Sequence, residues 1–134
     1  MARLTAPRSP LASAPAARPV TGRRGSARAR GYTRRWDKAS KAFLRAHPLC
    51  LGCTAMGRVE GAVLTDHIVP HRGNQALFWD EANWQPSCRW HHDTVKKKLE
   101  ALYEIGGIGA EDLRLDSATA RDMSEREGRG GSKV

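Results

Sequence analysis

Cys88, His91, His92 and Asp93 fall within the stretch CRWHHD, and Cys50 and Cys53 bracket Leu51 and Gly52 earlier in the chain. Thiolate and imidazole are the ligands of structural zinc, and a two-residue spacer lets one tight turn aim both members of a pair at one ion. Cys50-x2-Cys53 supplies one pair and Cys88-x2-His91 the other, so the spacing predicts a Cys3His zinc site. Neighbouring residues on a helix point about 100° apart, which directs His92 away from that ion. The other cluster of metal-type and base-type groups is Asp66-His67, with Asn83 between it and His92. A divalent cation takes a carboxylate oxygen and accepts a neutral imidazole, so Asp66 and His92 are the candidate ligands of a second ion. Strand neighbours face opposite sides, which suits a division of labour: one residue grips the ion and His67 removes a proton. An ordinary histidine pKa of about 6.5 leaves His67 neutral and able to do so. A dication offsets transition-state charge and helps orient or acidify water.

Those side chains need elements to carry them. In RRWDKASKAFLRAH, Trp36, Ala39, Phe43 and Ala46 recur at helical spacing until Pro48 ends the pattern. The cysteine knuckle PLCLGC follows. GAVLTDHIVP is a short β-branched, apolar run between Gly61 and Pro70, read as a strand with Asp66 and His67 near its end. A loop with one helical turn after Asp80 leads to a short extended piece around Trp84 and Gln85, because Pro86 disfavours helix before it. From Cys88 to Tyr103, the residues Val95, Leu99, Leu102 and Tyr103 mark one helical face, which ends at Gly106-Gly107. A weaker segment, AEDLRLD, and a polar, Gly-rich tail close the chain. So small an apolar complement calls for a staple.

Charge is distributed unevenly. Residues 1–35 hold nine arginines and no Asp, Glu or Lys, and the whole chain of 134 residues nets +9, so everything after that arm balances to zero. A cationic tail on a neutral domain seeks a polyanion such as DNA or RNA. An acid-poor, Arg- and Ala-rich arm also has the composition of an organellar transit peptide, but Pro7, Pro10, Pro15 and Pro19 would break the helix such a peptide forms. Three cysteines, an odd number, argue for reduced or metal-bound thiols rather than a disulfide framework. No apolar run reaches membrane-spanning length. The expectation is a cytoplasmic protein without a membrane partner.

The ordered set PLCLGC, TDHIVPHRG, LFWDEANWQPSC and HHDTVKKKLE resembles the HNH endonucleases of the phage and prophage type over roughly residues 31–105. Their pattern runs C-x2-C, an Asp-His-Ile strand, an Asn and a closing C-x2-C-H. The resemblance implies an α+β fold: a small ββα-metal domain (HNH, His-Me finger) with a structural zinc, an N-terminal helix and disordered tails. It implies an arm over 1–30, the nuclease domain over 31–105 and a weakly structured tail over 106–134. It further implies DNA as substrate, His67 as general base, and Asp66 and His92 as holders of a catalytic Mg2+, Mn2+ or similar ion. Products with 5′-phosphate and 3′-hydroxyl ends would follow. Asn83 either orients the base or approaches the metal. The family usually has cysteine where this chain has His91, and a rival alignment slides His91 into the catalytic site and leaves zinc with three cysteines. Arg72, His71, Lys96 and Lys97 are the candidate nucleic-acid contacts, against the alternative of a solvated turn and a solvated helix face. Phage packaging (terminase) components are the other expected partners, with the bacterial host cytoplasm as the setting. A noncatalytic zinc-stapled nucleic-acid-binding module, or a packaging-associated structural protein, is the alternative to an enzyme.

Overall fold

A computed structural model describes residues 32–128. The arginine arm expected over 1–30 and the last six residues of the tail lie outside the described residues. The chain divides between Thr33 and Arg34, and the unit that starts at Arg34 carries every element below.

Helix α1, Arg34–Ala46, carries Asp37 in its first turn and Arg45 in its last, as the helix dipole favours, and it stops short of Pro48. Its one buried residue is Trp36. Helix α2, Leu51–Ala55, is too short to persist alone. Its N-terminus is capped by a sulfur: the Cys53 amide donates to Cys50 Sγ at 3.4 Å.

Strands β1, Leu64–His67, and β2, Trp84–Ser87, form a two-stranded antiparallel sheet in which Asp66 faces Gln85 and His67 faces Trp84. Pro86 sits opposite Thr65, and with only two strands its missing N–H costs no second partner. The connection between them holds a short helix α3, Gln75–Phe78, capped by Asn74, and a 3-10 turn over Glu81–Asn83, capped by Asp80. After Cys88 the chain becomes helical. It is wound wide, as a π-turn, over His91–Lys96, and then continues as α4, Lys97–Glu104. The fold is therefore α+β, and its centre is a ββα unit with α1 laid against β1 through the Ser40–Thr65 hydroxyl contact of 2.7 Å.

The segment expected to be a weakly structured tail is otherwise over most of its length. Ala110–Leu113 forms a 3-10 turn, and Ala118–Arg126 forms helix α5, capped by Ser117. Leu113, Leu115 and Ala120 are fully buried in one cluster with Ile68, Val95 and Leu99. The physical reason is area: β1 and α4 present too few apolar side chains to bury one another, and the C-terminal leucines complete the core. Gln85 fastens them, donating to the Leu113 carbonyl at 3.2 Å and accepting from the Leu115 amide at 2.9 Å. Leu113→Ala should accordingly lower stability by about 2–5 kcal/mol in urea unfolding, whereas a residue in a loose tail would change it by less than about 0.5 kcal/mol. No helix among the described residues is long and apolar enough to cross a membrane.

Candidate metal centres and active site

Cys50, Cys53, Cys88 and His91 converge from three places: the N-terminus of α2, the end of β2 and the first turn of the wide helix. One ligand atom from each lies within 4.8 Å of all the others, and all four residues are buried. His91 Nδ1 is 3.7, 3.4 and 3.5 Å from the sulfurs of Cys50, Cys53 and Cys88, and Cys53 and Cys88 are 3.8 Å apart. A tetrahedral zinc with Zn–S of about 2.3 Å and Zn–N of about 2.0–2.1 Å has edges of about 3.8 Å between sulfurs and about 3.6 Å between sulfur and nitrogen. The four residues fit that ion in identity, count and spacing. The neighbouring Cys88 sulfur, with burial, pushes the Cys50 thiol up, while Cys50 and then His91 hold the Cys88 thiol down.

The ring of His91 is oriented from behind. Its Nε2 lies 3.1 Å from Ser124 Oγ, and that hydroxyl donates to the Ala120 carbonyl at 2.9 Å, so its oxygen accepts from the ring. Nε2 therefore carries the proton and Nδ1 presents its lone pair to the sulfurs. His91 sits with the cysteines, whereas the ring of His92 lies near Asp66.

The second cluster centres on Asp66. Its Oδ1 lies 3.7 Å from His92 Nε2, beyond hydrogen-bond length. Two ligands at about 2.1 Å from one octahedral ion are about 3.0 Å apart at right angles and about 4.2 Å apart when opposed, and the observed separation falls between the two. His92 Nδ1 is anchored 2.9 Å from Asp93 Oδ1, which turns Nε2 toward Asp66. The same hydrogen bond from His92 lowers the Asp93 carboxyl. Asp66 Oδ2 accepts from Gln85 Nε2 at 2.9 Å and meets Lys96 Nζ at 3.0 Å, so only Oδ1 is turned to His92.

His67 lies in an aromatic box. Trp36 stacks on it with centroids 5.0 Å apart, Phe78 packs at 4.7 Å, and His71 meets it edge-on at 4.8 Å. Its Nε2 lies 3.0 Å from the Phe78 carbonyl, an acceptor only, so that nitrogen carries the proton in the neutral ring and Nδ1 carries the lone pair. Burial pushes the imidazole down to about 4, with smaller contributions from His71 and Lys96. It is neutral at about pH 7, and it holds a proton less strongly than the ordinary histidine that the sequence suggests.

Several expected site residues stand elsewhere. Asn83 neither grips the metal pair nor meets the base: its carboxamide accepts from the Val69 amide at 2.9 Å and donates to the Val69 and Leu77 carbonyls. It ties the exit of β1 to the connecting loop. Lys96, expected to face DNA, is 1% exposed. The wide turn carries it inward, where its three N–H groups meet three oxygens: His67 O at 2.7 Å, Glu100 Oε2 at 2.6 Å and Asp66 Oδ2 at 3.0 Å. His71 is likewise buried, with its Nδ1 accepting from the Gly73 amide at 3.0 Å. Arg72 is exposed, takes a left-handed φ of 49°, and pairs with Glu104. Lys97 is exposed on α4. Lys96→Ala should cost about 3–5 kcal/mol in denaturant unfolding, because it strands the Asp66 carboxylate, while Lys97→Ala should change stability by less than about 0.5 kcal/mol.

Gln85, Ser124, Trp36 and Asp93 contact Asp66, His91, His67 and His92 respectively, and motif spacing does not single them out. Asp93 is next to His92 in the sequence. Trp36 was legible as a helix face, but not as the stack on His67. Gln85 and Ser124 carry no sequence signal.

No family model matches the chain, and no curated protein matches it. Among solved structures, the HNH endonuclease of deep-sea thermophilic bacteriophage GVE2, determined with manganese ion, is similar at 29% identity. The similarity covers 58% of this chain and 84% of that one, with a TM-score of 0.48.

Proposed function

We propose that this chain is a metal-dependent endonuclease of the HNH type that hydrolyses DNA phosphodiester bonds. The observation that carries the reading is the juxtaposition of Asp66 Oδ1 and His92 Nε2 at 3.7 Å on a ββα frame whose next strand residue, His67, is a buried neutral imidazole. Asp66 and His92 would hold a divalent ion, Mg2+ or Mn2+, which would supply charge stabilisation at the scissile phosphate. His67 takes a proton from water through Nδ1 while Phe78 holds Nε2–H in place. The water oxygen bonds to phosphorus, the bond to the 3′ oxygen breaks with its electron pair, and that oxygen is protonated from solvent. The ends are then 5′-phosphate and 3′-hydroxyl. Exposed Lys97 and Arg72 are two of the described cations that would contact the phosphate backbone, with Arg72 exchanging Glu104 for phosphate. The nine arginines of residues 1–35 add a sequence-independent attraction to the same polyanion.

Plasmid nicking with Mg2+ or Mn2+ tests this directly. Nicking should require the ion, and His92→Ala should raise the ion concentration needed at half-maximal rate by about 10-fold or more. Metal-independent nicking, or an unchanged requirement in the variant, overturns the assignment. One observation favours a noncatalytic nucleic-acid-binding module: Lys96 already places a cation on Asp66. That reading predicts DNA binding with no nicking at any ion concentration.

A further inference from the structure

Position 91 holds an imidazole where a thiolate would satisfy zinc equally well, and its surroundings are shaped to the ring. Gly52, inside the turn between Cys50 and Cys53, lies against it. A Cβ at Gly52 would stand 2.4 Å from His91 Cδ2, 2.7 Å from Nε2 and 2.8 Å from Cγ, distances at which something must shift. Both residues are buried, and the three cysteines hold the ring from its Nδ1 side, so it has nowhere to retreat. On the other side, Ser124 Oγ accepts the Nε2 proton at 3.1 Å. A cysteine at 91 has neither a ring to collide with residue 52 nor an N–H to offer residue 124.

We infer that Gly52 and Ser124 select histidine over cysteine as the fourth ligand of the Cys50–Cys53–Cys88 cluster, and that the Ser124 contact docks α5 onto that ligand. The inference rests on the Cys3His geometry and not on the nuclease reading.

The experiment is zinc affinity by competition with a chromophoric chelator, together with the visible spectrum of the Co2+-loaded chain, which separates three-sulfur, one-nitrogen from four-sulfur coordination. It is run on the full chain and on Gly52→Ala, Ser124→Ala, His91→Cys and the two double variants. In the parent, Gly52→Ala should weaken zinc by about tenfold or more and Ser124→Ala by about 10–100-fold, as loss of a ligand's outer hydrogen bond does. In the His91→Cys background each should weaken zinc by less than about threefold, with a four-sulfur Co2+ spectrum throughout. Equal losses in both backgrounds overturn the inference. Should Gly52→Ala take up no metal, the double variant decides: recovered uptake supports selection for the ring, and continued failure overturns it. A parent chain that takes up neither zinc nor Co2+ removes the cluster and this inference together, while nicking by that chain would still uphold the nuclease reading.

Discussion

His67→Ala should slow DNA cleavage by about 10²–10⁴-fold, the usual contribution of a positioned general base. The structure makes this a test of chemistry more than of folding. The carbonyl of residue 67, which Lys96 grips at 2.7 Å, survives the substitution, as does the backbone pairing with Trp84. What is lost is the ring stacked on Trp36, together with the lone pair whose position the Phe78 carbonyl fixes. Some stability goes as well, since removing a packed ring leaves a cavity, so the comparison needs single-turnover cleavage at a temperature where both proteins are folded. The zinc content of the variant should equal that of the parent, because His67 is not one of the four clustered residues Cys50, Cys53, Cys88 and His91. A variant that cuts at the parent's rate would remove His67 from the mechanism and leave the aromatic box as packing alone.

The second large effect is on folding. Stripping the cluster with a strong chelator should abolish the cooperative thermal transition, and restoring zinc should bring it back. The scale decides this. Structural zinc in small domains binds with an apparent free energy of about 10–16 kcal/mol near pH 7, against a total stability of about 5–15 kcal/mol for an ordinary domain. The ion would tie α2, the end of β2 and the first turn of the helix, and through Ser124 it reaches α5. The apolar core is small by comparison: a cluster of Ile68, Val95, Leu99, Leu113, Leu115 and Ala120, and the aromatic group of Trp36, Phe78 and Trp84. Metal analysis should give about one zinc per chain, and Cys53→Ser should reproduce the effect of the chelator. A chain that melts as sharply after losing its ion would show that the leucines hold the domain unaided and that the cluster is dispensable for folding.

Local chemistry wrote part of this molecule directly into the sequence. Two-residue spacers named Cys50, Cys53, Cys88 and His91, and the structure brings those four together within 4.8 Å. Periodicity of 3.6 residues found Val95 and Leu99 on the buried face of the final motif helix, and a proline and a β-branched run marked where β1 and β2 lie. Such signals are legible because each depends only on residues a few positions apart, which turns and helices place by fixed geometry.

What reached across the chain was decided by tertiary structure. Lys96 reads as one of three consecutive lysines on a solvated face. It is buried because a wide turn rotates it toward Asp66, thirty residues earlier, and because three oxygens from two elements satisfy it there. Asn83 reads as a catalytic letter but spends its carboxamide on the backbone of Val69 and Leu77. Leu113 and Leu115 lie in too short a run to show a period, and their burial depends on Gln85 meeting their backbone. Ser124 has no neighbour in sequence that hints at a histidine thirty-three positions away. The distinction is physical: spacing fixes which side chains share one local turn, whereas desolvation and hydrogen-bond satisfaction depend on what the rest of the chain brings to the other side.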